Sequence, residues 1–219
     1  MKRFIKYRDS EETVPVGKVI CLGRNYVAHA QELGNEVPDE PAIFLKPDSC
    51  IIQEGEDIVL PPSSQNVHEE VELGVVIGFP GKDIPQERAH EHVEGYLVFL
   101  DITARDIQNK LKEKRLSWAW AKGYDTFGPI SPMVRKEAIP DPQDLSLKLW
   151  INDELKQDGT TSLMIFKIDF LISYLSTIMT LEPGDIIATG TPKGVSQIVA
   201  GDTLRAAIEG VGDVEFKVR

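Results

Sequence analysis

Two glutamates one residue apart, inside a stretch otherwise suited to a protein interior, constrain this chain more than any other feature. The stretch runs Val67-His68-Glu69-Glu70-Val71-Glu72-Leu73-Gly74-Val75-Val76-Ile77. Read as a strand, it sends alternate side chains to opposite faces. Val71, Leu73, Val75 and Ile77 share one face, while Glu70, Glu72 and Gly74 share the other. The apolar face is complete, which predicts an interior strand of a sheet. Carboxylates on one strand face, roughly 6.5–7 Å apart at Cα, repel each other and lose hydration if buried. A hard divalent cation between them is the usual remedy. A half-exposed strand with two solvated glutamates has the same pattern, and this strand alone does not separate the two.

A third carboxylate tips the balance. The apolar run Tyr96-Leu97-Val98-Phe99-Leu100-Asp101-Ile102 carries one acid, and a charged helix is predicted directly after it, over 103–116. An aspartate in such a place is often the N-cap of the next helix. With Glu70 and Glu72 nearby in sequence, however, Asp101 supplies a third oxygen ligand. Three carboxylates plus waters suit Mg2+ or Mn2+ better than zinc, which prefers histidine and cysteine. A metal site is the favoured reading.

The charge balance bounds the partners. With 24 basic against 35 acidic residues the formal net charge is −11, which argues against nucleic acid or an anionic membrane. An anionic substrate would need positive charge gathered locally. The 219 residues are expected to form a peripheral N-terminal segment over 1–15 and a single catalytic domain over 16–219. Cys21 and Cys50 make neither a disulfide framework nor a metal spacing and read as small buried residues. Residues 1–8 lack the apolar run of a signal peptide, and no stretch approaches the length of a membrane span. The expectation is a cytoplasmic protein.

Short strands are predicted over 16–22, 42–46, 58–60, 96–102, 145–151, 155–157, 186–189, 203–208 and 214–218. Helices are predicted over 27–33, 85–93 and 168–179, the first stopped by Gly34 and Asn35 and the last capped by Asp169. Many short strands, few helices and no strand–helix alternation point to an α+β fold on mixed sheets. No linker, repeat or low-complexity segment interrupts it.

Several polar side chains invite a role. On a helix, His29 and Glu32 share a face at i and i+3, and a carboxylate beside an imidazole raises its basicity. By spacing alone an exposed surface pair is the commoner outcome. Lys46, ending a strand before Pro47, is a rim salt bridge or an anion contact. Arg105 and Gln108 stand just beyond Asp101, and Lys122 is bracketed by Trp118, Trp120 and Tyr124. His90 and His92 face different ways on a helix and carry no metal role. The loop Gly190-Thr191-Pro192-Lys193-Gly194-Val195 is rich in backbone donors but lacks nucleotide P-loop spacing.

With these residues in hand, the chain resembles the fumarylacetoacetate hydrolase family. The matching pieces begin with Gly23-Arg24-Asn25-Tyr26 with His29 and Glu32, Phe44-Leu45-Lys46-Pro47, and Glu70-Val71-Glu72-Leu73. They continue with Leu100-Asp101-Ile102-Thr103-Ala104-Arg105-Asp106 and Lys122-Gly123-Tyr124-Asp125. Leu181-Glu182-Pro183-Gly184-Asp185 and Thr189-Gly190-Thr191-Pro192 complete the set. The likeness runs in order from about residue 16 to the C-terminus and is closest to the small acylpyruvase and oxaloacetate decarboxylase branch. It implies the mixed β-sandwich or β-roll of the family's C-terminal domain, a homodimer, and Mg2+ or Mn2+ held by Glu70, Glu72 and Asp101. Two residues depart from the pattern. Glu69 stands where relatives often carry an aromatic or histidine, and Ser196 where glycine is common.

The resemblance also implies an activity: a metal-dependent hydrolase or lyase acting on C–C bonds of small 2-oxo acids. The ion would act as Lewis acid and electron sink for a pyruvate enolate. In an acylpyruvate, His29, oriented by Glu32, would deprotonate the water attacking the distal carbonyl; oxaloacetate would reach the same enolate by losing CO2. Lys122 would add positive charge and Thr191 would bind the carboxylate, with Arg24, Arg105 and Gln108 positioning the distal part. The runner-up is an isomerase or tautomerase, of the 2-hydroxyhepta-2,4-diene-1,7-dioate isomerase or oxaloacetate tautomerase kind. A metal that merely staples the fold would leave His29, Glu32 and Lys122 without a purpose.

Overall fold

A computed structural model of the protein describes residues 2–34 and 36–219. Strands β1 (Phe4–Lys6) and β2 (Thr13–Pro15) form an antiparallel hairpin. Strand β3 (Val19–Gly23), helix α1 (Val27–Glu32), β4 (Ala42–Lys46) and β5 (Ile51–Gln53) follow. The stretch read as one strand over 67–77 is two, β6 (Val67–His68) and β7 (Val71–Ile77), broken at Glu69 and Glu70. After β8 (Val93–Leu100) come Asp101, β9 (Thr103–Ala104) and helix α2 (Arg105–Glu113). The chain continues through β10 (Gly128–Ile130), β11 (Val134–Arg135), β12 (Ser146–Ile151) and β13 (Glu154–Thr160). Helix α3 (Ile168–Ile178), β14 (Ile186–Ala188), β15 (Gln197–Ile198), β16 (Thr203–Ile208) and β17 (Gly212–Lys217) complete it.

An eight-stranded mixed sheet runs β4-β3-β14-β7-β8-β10-β5, with β11 also on β8. Within it β14 lies parallel to β3 and β10 parallel to β5. The expected interior strand, β7, takes the middle of this order. A four-stranded antiparallel sheet, β13-β12-β16-β17, packs over one face. There Leu147, Leu149, Leu204 and Phe216 share a core with Leu73, Val75 and Ile77, joined by Leu171 and Leu175 of α3. On the opposite face Val76, Leu97 and Phe99 pack with Ile5 of the N-terminal hairpin. The alternation read from β7 is therefore correct, but both faces are covered and the whole strand is buried. Gly74 is small because the Leu97 side chain fills the space: a Cβ there would stand 2.4 Å from Leu97 Cδ1.

Some expectations change. The predicted strand over 58–60 is a single bridge, Ile58 to Val218, because Pro61 and Pro62 offer no N–H to continue a ladder. Strand β5 had no clear signal of its own. Lys167, not Asp169, occupies the N-cap position of α3, and Asp169 sits in the first turn. The polar segment before β8 is a 3-10 helix, Gln86–His92, with His90 exposed. Gly34 has the left-handed φ of +66° expected of a helix stop, while Asn35, the other half of that signal, lies outside the described residues. Both cysteines are free and buried, as expected. Among the described residues, no helix is long and apolar enough to cross a membrane.

Leu149 tests the seam between the two sheets. It is fully buried, so Leu149→Ala should cost ~3 kcal/mol through lost contacts and a residual cavity. Urea melts of the two proteins measure this; a change below about 1 kcal/mol would mean the seam is loosely packed.

Candidate metal centre and active site

The pairing of β7 with β8 brings the acids together. Val71 lies opposite Leu100, so Glu70 and Asp101 flank the next rung, where the Asp101 N–H donates to the Glu70 carbonyl at 2.8 Å. Glu72 points to the same side one pleat along. Ligand oxygens of Glu70, Glu72 and Asp101 all lie within 4.8 Å of one another, and all three residues are buried. Solvated glutamates are ruled out.

Cations surround the cluster. Lys122 Nζ donates to Glu70 Oε2 at 2.6 Å and to Asp101 Oδ2 at 2.5 Å. Lys46 Nζ donates to Asp101 Oδ1 at 2.5 Å and to the Ile102 carbonyl at 3.1 Å. Arg105 pairs with Glu70 and donates to Gln108 Oε1 at 2.8 Å. Burial alone would raise Glu70, but Lys122 and Arg105 outweigh it and hold this carboxyl well below its ordinary range. Burial likewise disfavours the charged Lys122, yet Asp101 and Glu70 raise its pKa above the usual lysine value. Glu72 is different. Among the described residues its carboxylate accepts one hydrogen bond, from the Gly190 N–H at 2.8 Å, and burial, then Asp101 and Glu70, push it far above the carboxylate range.

That imbalance is what a divalent ion would relieve. The donor set is all oxygen, which fits Mg2+ or Mn2+. With all three carboxyls ionised, as a bound divalent ion requires, three carboxylates and three cationic side chains sum to neutral, and the ion would leave the centre positive, ready for an anionic ligand. The acidic triad can hold such a metal.

A cavity of about 250 Å³ opens onto this centre. Arg24, His29, Arg105, Gln108, Lys122 and Thr191 all reach its wall, alongside Glu70 and Glu72. Asp101 sits behind Lys122, and Glu32 behind His29. The sequence-derived set is thus brought to one place. His29 Nδ1 is 3.5 Å from Glu32 Oε2 but makes no hydrogen bond there. Burial lowers the His29 pKa, with Arg105 and Lys122 adding to it against the pull of Glu70. The imidazole is therefore neutral at neutral pH and able to accept a proton. Glu32 takes the Gly194 N–H at 3.0 Å, tying α1 to the loop after β14.

Local sequence explains the placement. Asn25 is buried and bonds the carbonyls of Phe166 and Thr189 at 3.0 and 2.8 Å, while accepting the Phe166 N–H at 2.7 Å. So anchored, it holds the preceding Arg24 at φ +60°, a left-handed conformation that costs a non-glycine residue about 1 kcal/mol or more. The Thr191 hydroxyl donates to the Val71 carbonyl and accepts from Gln157 Nε2, both at 2.8 Å. Its proton is thus already used. Thr191 can offer a ligand its backbone N–H, which has no protein acceptor among the described residues.

Some participants escaped the sequence reading. Lys46 is not a rim residue: it is buried against Asp101 because β4 lies beside β3 in the sheet. Gln157 bridges the Val71 N–H and the Thr191 loop from another sheet, with no local signal. The two departures from the family pattern touch each other: the Ser196 N–H donates to Glu69 Oε2 at 2.9 Å and its hydroxyl to Oε1 at 3.3 Å. Phe44 and Trp118 form an apolar wall of the cavity.

The fumarylacetoacetate (FAA) hydrolase C-terminal family model matches residues 18–219. The chain belongs to the fumarylacetoacetate hydrolase family. It is 48% identical over 201 residues to the mitochondrial oxaloacetate tautomerase FAHD1 of Arabidopsis thaliana, covering 92% of this chain and 90% of that protein. The crystal structure of fumarylpyruvate hydrolase from Pseudomonas aeruginosa, in complex with Mn2+ and pyruvate, superposes with a TM-score of 0.95 at 36% identity, covering 99% and 95% of the two chains. The 2-hydroxyhepta-2,4-diene-1,7-dioate isomerase of Mycobacterium marinum gives 0.82 at 40% identity, covering 93% and 74%. The mixed α+β fold expected from the sequence is this family's.

The raised Glu72 carboxyl gives a direct test of metal binding. A ligating carboxylate must be ionised, so Mn2+ should displace a proton, and affinity should fall as pH drops. Calorimetric titration in buffers of different ionisation enthalpy counts that proton. Binding without proton release, or release that survives in Glu72→Gln, would remove Glu72 from the ligand set.

Proposed function

We propose that this protein is a divalent-metal-dependent enzyme that cleaves C–C bonds of small 2-oxo acids, by acylpyruvate hydrolysis, oxaloacetate decarboxylation or both. The observation that carries the reading is a buried acidic triad opening onto one cavity with a neutral, carboxylate-adjacent His29 and surplus positive charge. Glu70, Glu72 and Asp101 would hold Mg2+ or Mn2+, which would supply Lewis acidity.

The chain's own residues do the rest. Lys122 has three N–H donors and spends two on Glu70 and Asp101, leaving one for substrate oxygen. The Nε2 amide of Gln108 and the Thr191 N–H are further donors on the wall. His29 takes a proton from water, whose oxygen attacks the distal carbonyl of an acylpyruvate. The C–C bond then breaks, one fragment leaving as a carboxylic acid and the other as pyruvate enolate, which is protonated to pyruvate. Oxaloacetate needs no water: the bonding pair passes into the 2-keto group as CO2 departs. The electron-rich fragment is the same in both, so one set of positive groups serves both reactions.

A second reading is favoured by the named relatives, a tautomerase and an isomerase among them. In it His29 carries a proton between carbon and oxygen of a 2-oxo diacid, with no bond between carbons broken. Incubation with oxaloacetate, acetylpyruvate and a dienoate diacid, followed by identification of products, distinguishes the two.

Glu70→Ala or Asp101→Ala should abolish turnover, since each also strands a buried cation. His29→Ala should lower acylpyruvate hydrolysis by about 10²-fold or more, and oxaloacetate decarboxylation far less. Equal losses in steady-state rates on both substrates would count against water activation by His29.

A further inference from the structure

A second cavity, of about 350 Å³, shares no lining residue with the first. It lies where β8, the 3-10 helix before it and the start of α3 meet. Val93, Ile168 and Ile172, with Pro142, give it an apolar wall. Tyr96, also on this wall, is about 17 Å along the strand direction from Asp101 at 3.4 Å per residue.

Most polar groups around the cavity are already used. Gln143 Nε2 donates to the Thr161 carbonyl at 2.6 Å, and Gln143 Oε1 accepts the Ile168 N–H at 3.0 Å. Lys167 Nζ donates to the Ser162 carbonyl at 2.7 Å. Asp169 accepts from the Phe170 N–H at 2.8 Å and from Gln86 Nε2 at 2.9 Å. His90 stands exposed at the rim.

Tyr96 is the exception. It is 5% exposed, lines the cavity, and its hydroxyl has no hydrogen-bond partner among the described residues. Buried tyrosine hydroxyls normally find a partner, and one without it costs stability. Phenylalanine would fill the same space without that cost, so packing does not account for the oxygen.

The surroundings indicate what would meet it. Burial, then nearby Asp141 and Glu137, push the Tyr96 phenol up to about 12. Both acids are exposed, and neither pairs with a basic side chain among the described residues. With Asp169 on the wall, carboxylates outnumber the lining lysine, Lys167, whose ammonium is engaged. Such a place suits a hydrogen-bond donor that carries positive charge. The volume is about twice the ~150 Å³ that takes up benzene in an apolar cavity, so a body of one ring fits.

We infer that this cavity is a binding site for a small organic amine. The apolar body lies against Val93, Ile168 and Ile172, and the ammonium donates to the Tyr96 oxygen beside Asp141 and Glu137. Nothing in this depends on the 2-oxo acid chemistry of the other cavity.

The probes are 2-phenylethylamine and 2-phenylethanol, which share a body and differ in the head group. Each is titrated calorimetrically into the Mn2+-loaded protein. The amine should bind with a Kd below about 1 mM, at least about fivefold more tightly than the alcohol. Tyr96→Phe should weaken the amine about tenfold. It should also melt at or above the wild-type temperature, because the hydroxyl has no protein partner to lose. Asp141→Asn, a surface change that keeps the oxygen accepting the Gln143 N–H, should weaken the amine and leave the alcohol as it was. No binding, an alcohol bound as tightly as the amine, or amine affinity unchanged in either variant would overturn the inference. So would a lower melting temperature in Tyr96→Phe, which would give the hydroxyl a structural role.

Discussion

Keeping three carboxylates in the interior is the constraint that organises this protein. Removing each from water costs several kcal/mol unless cations and N–H donors replace the lost hydration. Glu70 and Asp101 are compensated from three directions: Lys46 from β4, Arg105 from α2, and Lys122 from the turn before β10. Those elements must be in place together, so the site is also a tie between separate parts of the chain. Glu72 receives one backbone N–H and no side-chain cation among the described residues. That shortfall is one a divalent ion would relieve.

The loop after β14 is the second organising feature. Within a few residues it bonds Glu72 through Gly190, Val71 through Thr191, Glu32 through Gly194 and Glu69 through Ser196. It therefore fixes both the metal-side strand and the helix that carries His29. Gly194 cannot be replaced lightly: φ is +104°, and a Cβ would lie 2.1 Å from the Lys156 carbonyl oxygen. Glu69 is pushed up to about 8 by burial despite the Ser196 N–H. Glu69 and Ser196, unusual singly, make sense as a pair that closes this loop onto the strand.

The cavity has two ends with different chemistry. Its floor is the acid–cation lattice of Glu70, Glu72 and Asp101 with Lys122 and Arg105. Its wall combines Trp118 and Phe44 with Arg24 and Lys112, which have no ion-pair partner among the described residues. In the proposed function, cleavage and proton transfer would both use the floor. Relatives named for hydrolysis, tautomerisation and isomerisation share this scaffold.

Much of this was present in the order of residues. Alternation around Glu70 and Glu72 identified the central strand, the single acid after β8 identified the third acid of the cluster, and i, i+3 spacing put His29 beside Glu32. These signals are local, because strand and helix periods decide which side chains share a face. Sequence left open whether the glutamates faced water, and here the second sheet and the N-terminal hairpin decided by covering both faces of β7. The partner of Lys46, the role of Gln157 and the Glu69–Ser196 contact were invisible for the same reason. Each depends on which strands become neighbours, and that is settled by packing across the whole chain. Residue spacing along one strand or helix does not contain it.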